Sequence, residues 1–235
     1  MFLGASVRAV CVVLCLGQLV AACSSWDEDT PDHVDFALPS ITWTVSSAAP
    51  QWREPPPPGV PVPSFVCSGP EALSTDCCAP PYDCQKYPFA CDPTSNFCAL
   101  TFDVEGGQTV DLVNDVPAIA AVQGRAFAKV ELLSLNVSVS LAPGLPIRAT
   151  SLYIGPHGLP ASSDPAATFF APVKLVSGAQ AVVPDVPARQ AFSSFARDYE
   201  TPFSLLLSAH VVVSSDNPPK GDLRATLTAQ ARAFY

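Results

Sequence analysis

Leu133-Ser134-Leu135-Asn136-Val137-Ser138-Val139-Ser140-Leu141 alternates apolar and polar residues without an error. A side-chain period of two belongs to a β-strand, because successive Cβ atoms point to opposite faces. The stretch therefore reads as a strand with one face in a core and one in water. Just upstream, Val130 and Leu132 hold the opposite phase. A slip of one residue moves every side chain to the other face, so either a bulge at Leu132-Leu133 flips the faces or the long segment crosses from one sheet to another.

Working outward, the same period recurs on both sides. Leu100, Phe102 and Val104 alternate with Thr101, Asp103 and Glu105, and Gly106-Gly107 stands before Val110 and Leu112. Two glycines between alternating runs predict a hairpin. Ile147 to Ile154 and Pro172 to Val176 are shorter candidates. Phe203, Leu205, Leu207, Ala209, Val211 and Val213 alternate with a more polar face that includes His210, and Leu223, Ala225, Leu227, Ala229, Ala231 and Ala233 alternate with Arg224, Thr226, Thr228, Gln230 and Arg232. These two runs predict a second hairpin, around Asp216-Asn217-Pro218-Pro219-Lys220-Gly221. One segment has helical spacing instead: Ala188, Ala191, Phe192, Phe195, Ala196 and Tyr199 behind Pro187, a residue that suits a first helical turn. The alanines on the last strand leave room for another element, and the Phe192/Phe195 helix is expected to fill it.

Seven or eight short strands with one late amphipathic helix in residues 99–235 predict a mainly β fold, an antiparallel β-sandwich that is immunoglobulin-like in architecture. A closed barrel is the alternative. The final Tyr235 and the alternation before it resemble the C-termini of outer-membrane barrels, but the faces carry Ala and Ser rather than aromatic girdles.

Residues 67–98 hold Cys67, Cys77, Cys78, Cys84, Cys91 and Cys98. So short a piece buries too little apolar surface to fold unaided, and disulfides are the natural staple in an oxidising compartment. A disulfide-rich module follows, with its connectivity left open. A zinc site would want paired C-x2-4-C spacing and nearby His ligands, which are missing, so no metal is expected. Tyr82, Tyr87 and Phe89 could make the module an interaction knob; a rigid collar is the preferred reading.

Residues 23–66 neither alternate nor show helical spacing. Asp27, Glu28, Asp29, Asp32 and Asp35 make an acidic start, and Pro50, Pro55 to Pro58, Pro61 and Pro63 a stiff end. Proline runs favour extended polyproline II and cannot join a sheet ladder, so a disordered, semi-rigid tether is expected. Residues 1–22 carry one basic residue, Arg8, then an apolar run and small residues, the layout of a signal peptide.

The sequence Val20-Ala21-Ala22-Cys23 at its end resembles the lipobox of bacterial lipoproteins. The resemblance implies that the Cys23 thiol takes a diacylglycerol, that the peptide before it is removed, and that the new amino terminus is acylated. Acyl chains at about 0.8 kcal/mol per buried CH2 would anchor the chain in a lipid bilayer. Cysteine parity agrees: with Cys11 and Cys15 removed and six cysteines in the module, Cys23 has no partner. Ser24 after it favours the outer membrane.

The chain has 12 Lys+Arg against 21 Asp+Glu, a formal net charge of -9, and no basic cluster, which argues against nucleic acid as a partner. It contains no HExxH, GxSxG, GxGxxG or phosphate-binding loop, and His33, His157 and His210 are not placed to act as general bases. Asp103, Glu105, Asp111 and Asp115 match no calcium-loop spacing and read as charged turn residues. The function expected is that of a non-enzymatic, membrane-anchored envelope lipoprotein without a cofactor, presenting a β-sandwich for binding or structural roles. Its partner beyond the bilayer would be a protein or a hydrophobic ligand. Two alternatives stand beside it: a carrier of a hydrophobic ligand inside the β-domain, and an inhibitor of extracellular hydrolases acting through the cysteine module.

Overall fold

The computed structural model describes residues 32–47, 67, 77, 89–92, 94–214 and 220–235. In chain order these form β1 (His33–Ala37), β2 (Ile41–Ser46), β3 (Phe89–Cys91), β4 (Cys98–Val110), the one-turn helices α1 (Leu112–Asp115) and α2 (Pro117–Ala120), β5 (Lys129–Leu141), β6 (Ile147–Pro156), β7 (Thr168–Val173), β8 (Gly178–Ala181), α3 (Val186–Arg197), β9 (Phe203–Val213) and β10 (Asp222–Phe234). The strands make two antiparallel sheets. In the first, β10 pairs with β5 on one side and with β1 and then β2 on the other, while β8 extends β5. In the second the order is β3-β4-β9-β6-β7.

Setting β1 and β3 aside, the orders β2-β10-β5-β8 and β4-β9-β6-β7 are the double Greek key of a jelly roll. The β-sandwich expected from the alternation is therefore present. Its likeness to an immunoglobulin domain extends to the two-layer architecture and not to this winding. Successive strands mostly change sheet, which corrects one expectation: β9 and β10 are not a hairpin, but lie in opposite sheets. Alternation reports which face is buried; it does not name the neighbour.

The phase reversal in β5 is a bulge. Leu135 pairs with Ala229 and Leu132 with Ala231, leaving Leu133 as the extra residue and restoring Val130 and Leu132 to the inward face. Gly106-Gly107 is not a turn, because β4 runs straight through it alongside β9. A Cβ at Gly106 would stand 3.0 Å from Trp43 Cδ1 on β2 of the facing sheet, and one at Gly107 would lie 3.8 Å from the Leu159 carbonyl on the opposite face. Glycine within a strand marks close approach here rather than reversal.

The tether reading is corrected in part. Residues 33–37 and 41–46 are strands whose Phe36, Ile41, Trp43 and Val45 are buried. Their apolar residues alternate, but in pieces too short to stand out in an acidic segment. The boundary at 98/99 also falls inside β4, and Phe89–Cys91 is the edge strand of the second sheet, so the described part of the cysteine region is continuous with the sandwich.

Helix α3 starts where its spacing predicts, capped by the Asp185 carboxylate, which accepts from the Ala188 amide at 2.9 Å. It buries Ala188, Phe192 and Ala196. It packs on β5, β6 and β7, bridging the two sheets, and does not fill the alanine face of β10. Bulk beside those alanines comes from strand neighbours: Phe36 stands opposite Ala231 and Trp43 opposite Ala225. The helices α1 and α2 were not expected; Asp111 caps the first, and Pro117 opens the second.

Candidate functional site

The two ends of the sandwich differ in chemistry. At one end the β3–β4 turn, with Asn96 in the left-handed region (φ 57°), places Cys91 opposite Cys98. Asparagine tolerates this conformation because its short polar side chain bonds locally. Cys67 is disulfide-bonded to Cys91 and Cys77 to Cys98. Cys67 Sγ and Cys98 Sγ lie 4.0 Å apart, so the two bridges pack together over Phe89 and Leu100. Cys67, Cys77 and Cys98 form the one cluster of metal-ligand residue types among the described residues, and their sulfurs are taken up in these disulfides. Cys23, Cys78 and Cys84 lie outside the described residues, as do Tyr82 and Tyr87.

Asp92 ties this end to the sheet. Its side chain is 7% exposed and accepts from the Thr94 amide at 3.1 Å, the Ser95 hydroxyl at 2.7 Å and Arg148 Nη2 on β6 at 2.9 Å. Burial by itself would raise the carboxyl pKa; the Ser95 and Thr94 hydrogen bonds and the Arg148 charge outweigh it and hold the group below its ordinary value. Neither residue stands out in the sequence. Separated by 56 positions and matching no motif, they left no local signal.

At the other end the chain enters at Asp32, whose carbonyl accepts from the Tyr235 amide at 3.1 Å. Phe127 lies between Tyr199 and Tyr235, with ring centroids 4.6 and 5.9 Å away. The Arg125 guanidinium sits 4.9 Å from the centre of the Tyr235 ring. The Tyr199 hydroxyl donates to the Arg125 carbonyl at 3.1 Å and accepts from the Gly124 amide at 2.9 Å, fixing the loop that follows α2. Beside it is an open cleft of about 270 Å³ that includes Arg125, Arg197, Asp198 and Glu200. A second groove, about 330 Å³, runs between β5 and α3, with Val130, Leu132 and Val186 among charged neighbours.

The carboxylates considered for calcium do not converge. Asp103 pairs with His210 at 2.9 Å across β4 and β9, Glu105 accepts from the backbone and hydroxyl of Ser162, and Asp111 and Asp115 are used in capping α1. Asp111 is held below its usual pKa, first by the Asn114 side chain and then by the Asn114 amide. His157 Nδ1 lies 3.3 Å from the Thr109 hydroxyl, and the Gly158 amide donates to Ser204 at 3.0 Å. Together with Glu105 these contacts hold the loop after β6 over the outer face of the second sheet, where Leu159 and Leu206 are buried.

No protein-family model matches the chain, and no curated protein sequence matches it. Among solved structures it is similar to Desmodium yellow mottle tymovirus at 13% identity, over 58% of this chain and 80% of that one, with a TM-score of 0.25. A turnip yellow mosaic virus structure is similar at 13% identity over 58% and 92%, with a TM-score of 0.24.

Proposed function

We propose that the chain is a lipid-anchored, non-enzymatic envelope protein of the outer membrane, displaying a jelly-roll sandwich for binding or structural roles. The observation that carries this reading is Val20-Ala21-Ala22-Cys23 after an apolar run. The disulfides support it, because Cys67, Cys77, Cys91 and Cys98 pair among themselves and none of the four is a partner for Cys23. The carrier alternative needs an apolar cavity between the sheets. Phe170, Phe192 and Phe203 are buried there against one another, with successive ring centroids 6.4 Å apart, which favours a filled core. The inhibitor alternative rests on the cysteine module at residues 67–98, of which 68–76, 78–88 and 93 lie outside the described residues.

The test is an intact mass of full-length protein recovered from the membrane fraction of a bacterial host, beside a Cys23→Ser variant. A chain starting at Cys23 and heavier by its acyl groups is expected, with the variant unacylated and lost from membranes. A soluble, unacylated wild-type chain overturns the proposal.

A further inference from the structure

Nine residue steps lead from Cys23 to Asp32, not the long tether that the composition predicts. At about 3.3–3.6 Å per residue they reach roughly 30 Å at full stretch. The end of the sandwich that holds Asp32 is fixed by its contacts: Tyr235 bonds to Asp32, Phe127 and Arg125 pack on Tyr235, and Tyr199 holds the loop carrying Arg125. The disulfide-stapled end lies at the other pole. There β4 begins at Cys98 and β9 ends at Val213, and Val212 donates to the Pro146 carbonyl in the turn that leads from the top of β5. Thirteen residues of β10 span the molecule between the poles, about 40 Å at the usual strand rise.

The cations also differ between sites. Arg148, Arg232 and Lys129 are each engaged by a carboxylate, from Asp92, Asp35 and Glu131 respectively. Among the described residues Arg125 and Arg197, like Lys174, Arg189, Lys220 and Arg224, are in no salt bridge; what sets these two apart is that both line the cleft at the entry end, where Asp198 and Glu200 line it too. Two guanidiniums suit a phosphate, and two carboxylates suit an ammonium. A chain of net charge -9 is repelled by an anionic surface, so the mixed cleft matches a zwitterionic one. Tyr199 is buried and holds the loop, whereas Tyr235 is half-buried at this end, and a tyrosine there favours headgroup depth, where an apolar ring meets a wet edge.

Building on the lipid-anchor reading, we infer that the pole carrying Arg125, Arg197 and Tyr235 lies against zwitterionic phospholipid headgroups and that the disulfide-stapled pole is the outward tip. Phosphates meet the two arginines and ammonium groups meet Asp198 and Glu200.

The experiment uses the full-length acylated protein in phosphatidylethanolamine–phosphatidylcholine vesicles, in phosphatidylglycerol vesicles and in a non-ionic detergent. Flotation with vesicles reads the anchor, and amide hydrogen exchange reads the orientation. Exchange in residues 121–128 and 198–202 is expected to slow several-fold in the zwitterionic vesicles relative to detergent, with residues 142–146 unchanged. Arg197→Glu, alone and with Arg125→Glu, should abolish the slowing while flotation persists. Failure to float overturns the anchor reading alone. Flotation without protection at this pole, protection at residues 142–146 instead, stronger protection on phosphatidylglycerol, or protection that survives the charge reversals overturns the orientation.

Discussion

Phe192 and Phe195 occupy the same side of α3, but the structure separates their roles: Phe192 is 1% exposed, whereas Phe195 is half-buried and stacks on Phe203 at the rim. Phe192→Ala should cost about 3–5 kcal/mol in chemical denaturation and Phe195→Ala clearly less. Equal losses would show that the helix packs differently. Gly106 and Gly107 make a second contrast. Gly106→Ala forces a methyl to 3.0 Å from Trp43 and should destabilise by about 1–3 kcal/mol, while Gly107→Ala meets only ordinary contacts and should be near neutral. Asp92 adds a pH signature. With its folded pKa depressed, its contribution is complete above the unfolded value of about 4 and is lost as pH falls through the folded one. The melting-point advantage of wild type over Asp92→Asn should therefore shrink on titration from pH 6 towards about pH 3; a constant gap would mean that the ionised carboxylate is not what holds the turn.

Element by element, β5 shows what local sequence can and cannot specify. Its alternation named the buried face from Leu135 onward, and its phase break left a bulge or a crossing between sheets; the pairing with β10 shows the bulge, with Leu133 exposed rather than buried. The partners β10 and β8 were illegible, since pairing in a jelly roll joins residues far apart in sequence. For the same reason β9 looked half-polar: Ser204, Leu206 and Ser208 alternate outward, yet the loop after β6 and the flanking strands cover them. The glycine pair in β4 fits a turn and a close approach equally well until Trp43 is placed above it. At the stapled end the cysteines announced disulfides, but the Asp92–Arg148 tie that docks them to β6 was invisible. A deletion test follows from the bulge. Removing Leu133 leaves Val130, Leu132, Leu135, Val137 and Val139 in one unbroken phase and should preserve cooperative unfolding, whereas removing Ser138 turns one part of the strand inside out. Similar stabilities of the two deletion variants would show that the bulge does not set the register.

For the molecule as a whole, two disulfides spanning 24 and 21 residues staple one pole and an acyl group is proposed for the other. In the chain-entropy view, loops of this size contribute about 3 kcal/mol each, so reduction should lower the denaturation midpoint of the whole sandwich, with continuity of β3 and β4 transmitting the loss. A midpoint unchanged by reduction would mean that the stapled end is energetically separate. β10 stands between β5 and the β1–β2 pair, so a strand far along the chain joins two much earlier ones to the rest of the first sheet. A ribosome adding about 5–20 residues per second therefore takes roughly ten seconds or more to pass from β2 to β10, and the first sheet cannot close before then. Until β10 emerges, β1 and β2 have no strand to lie against, and the part of the chain already made stays loose enough to thread.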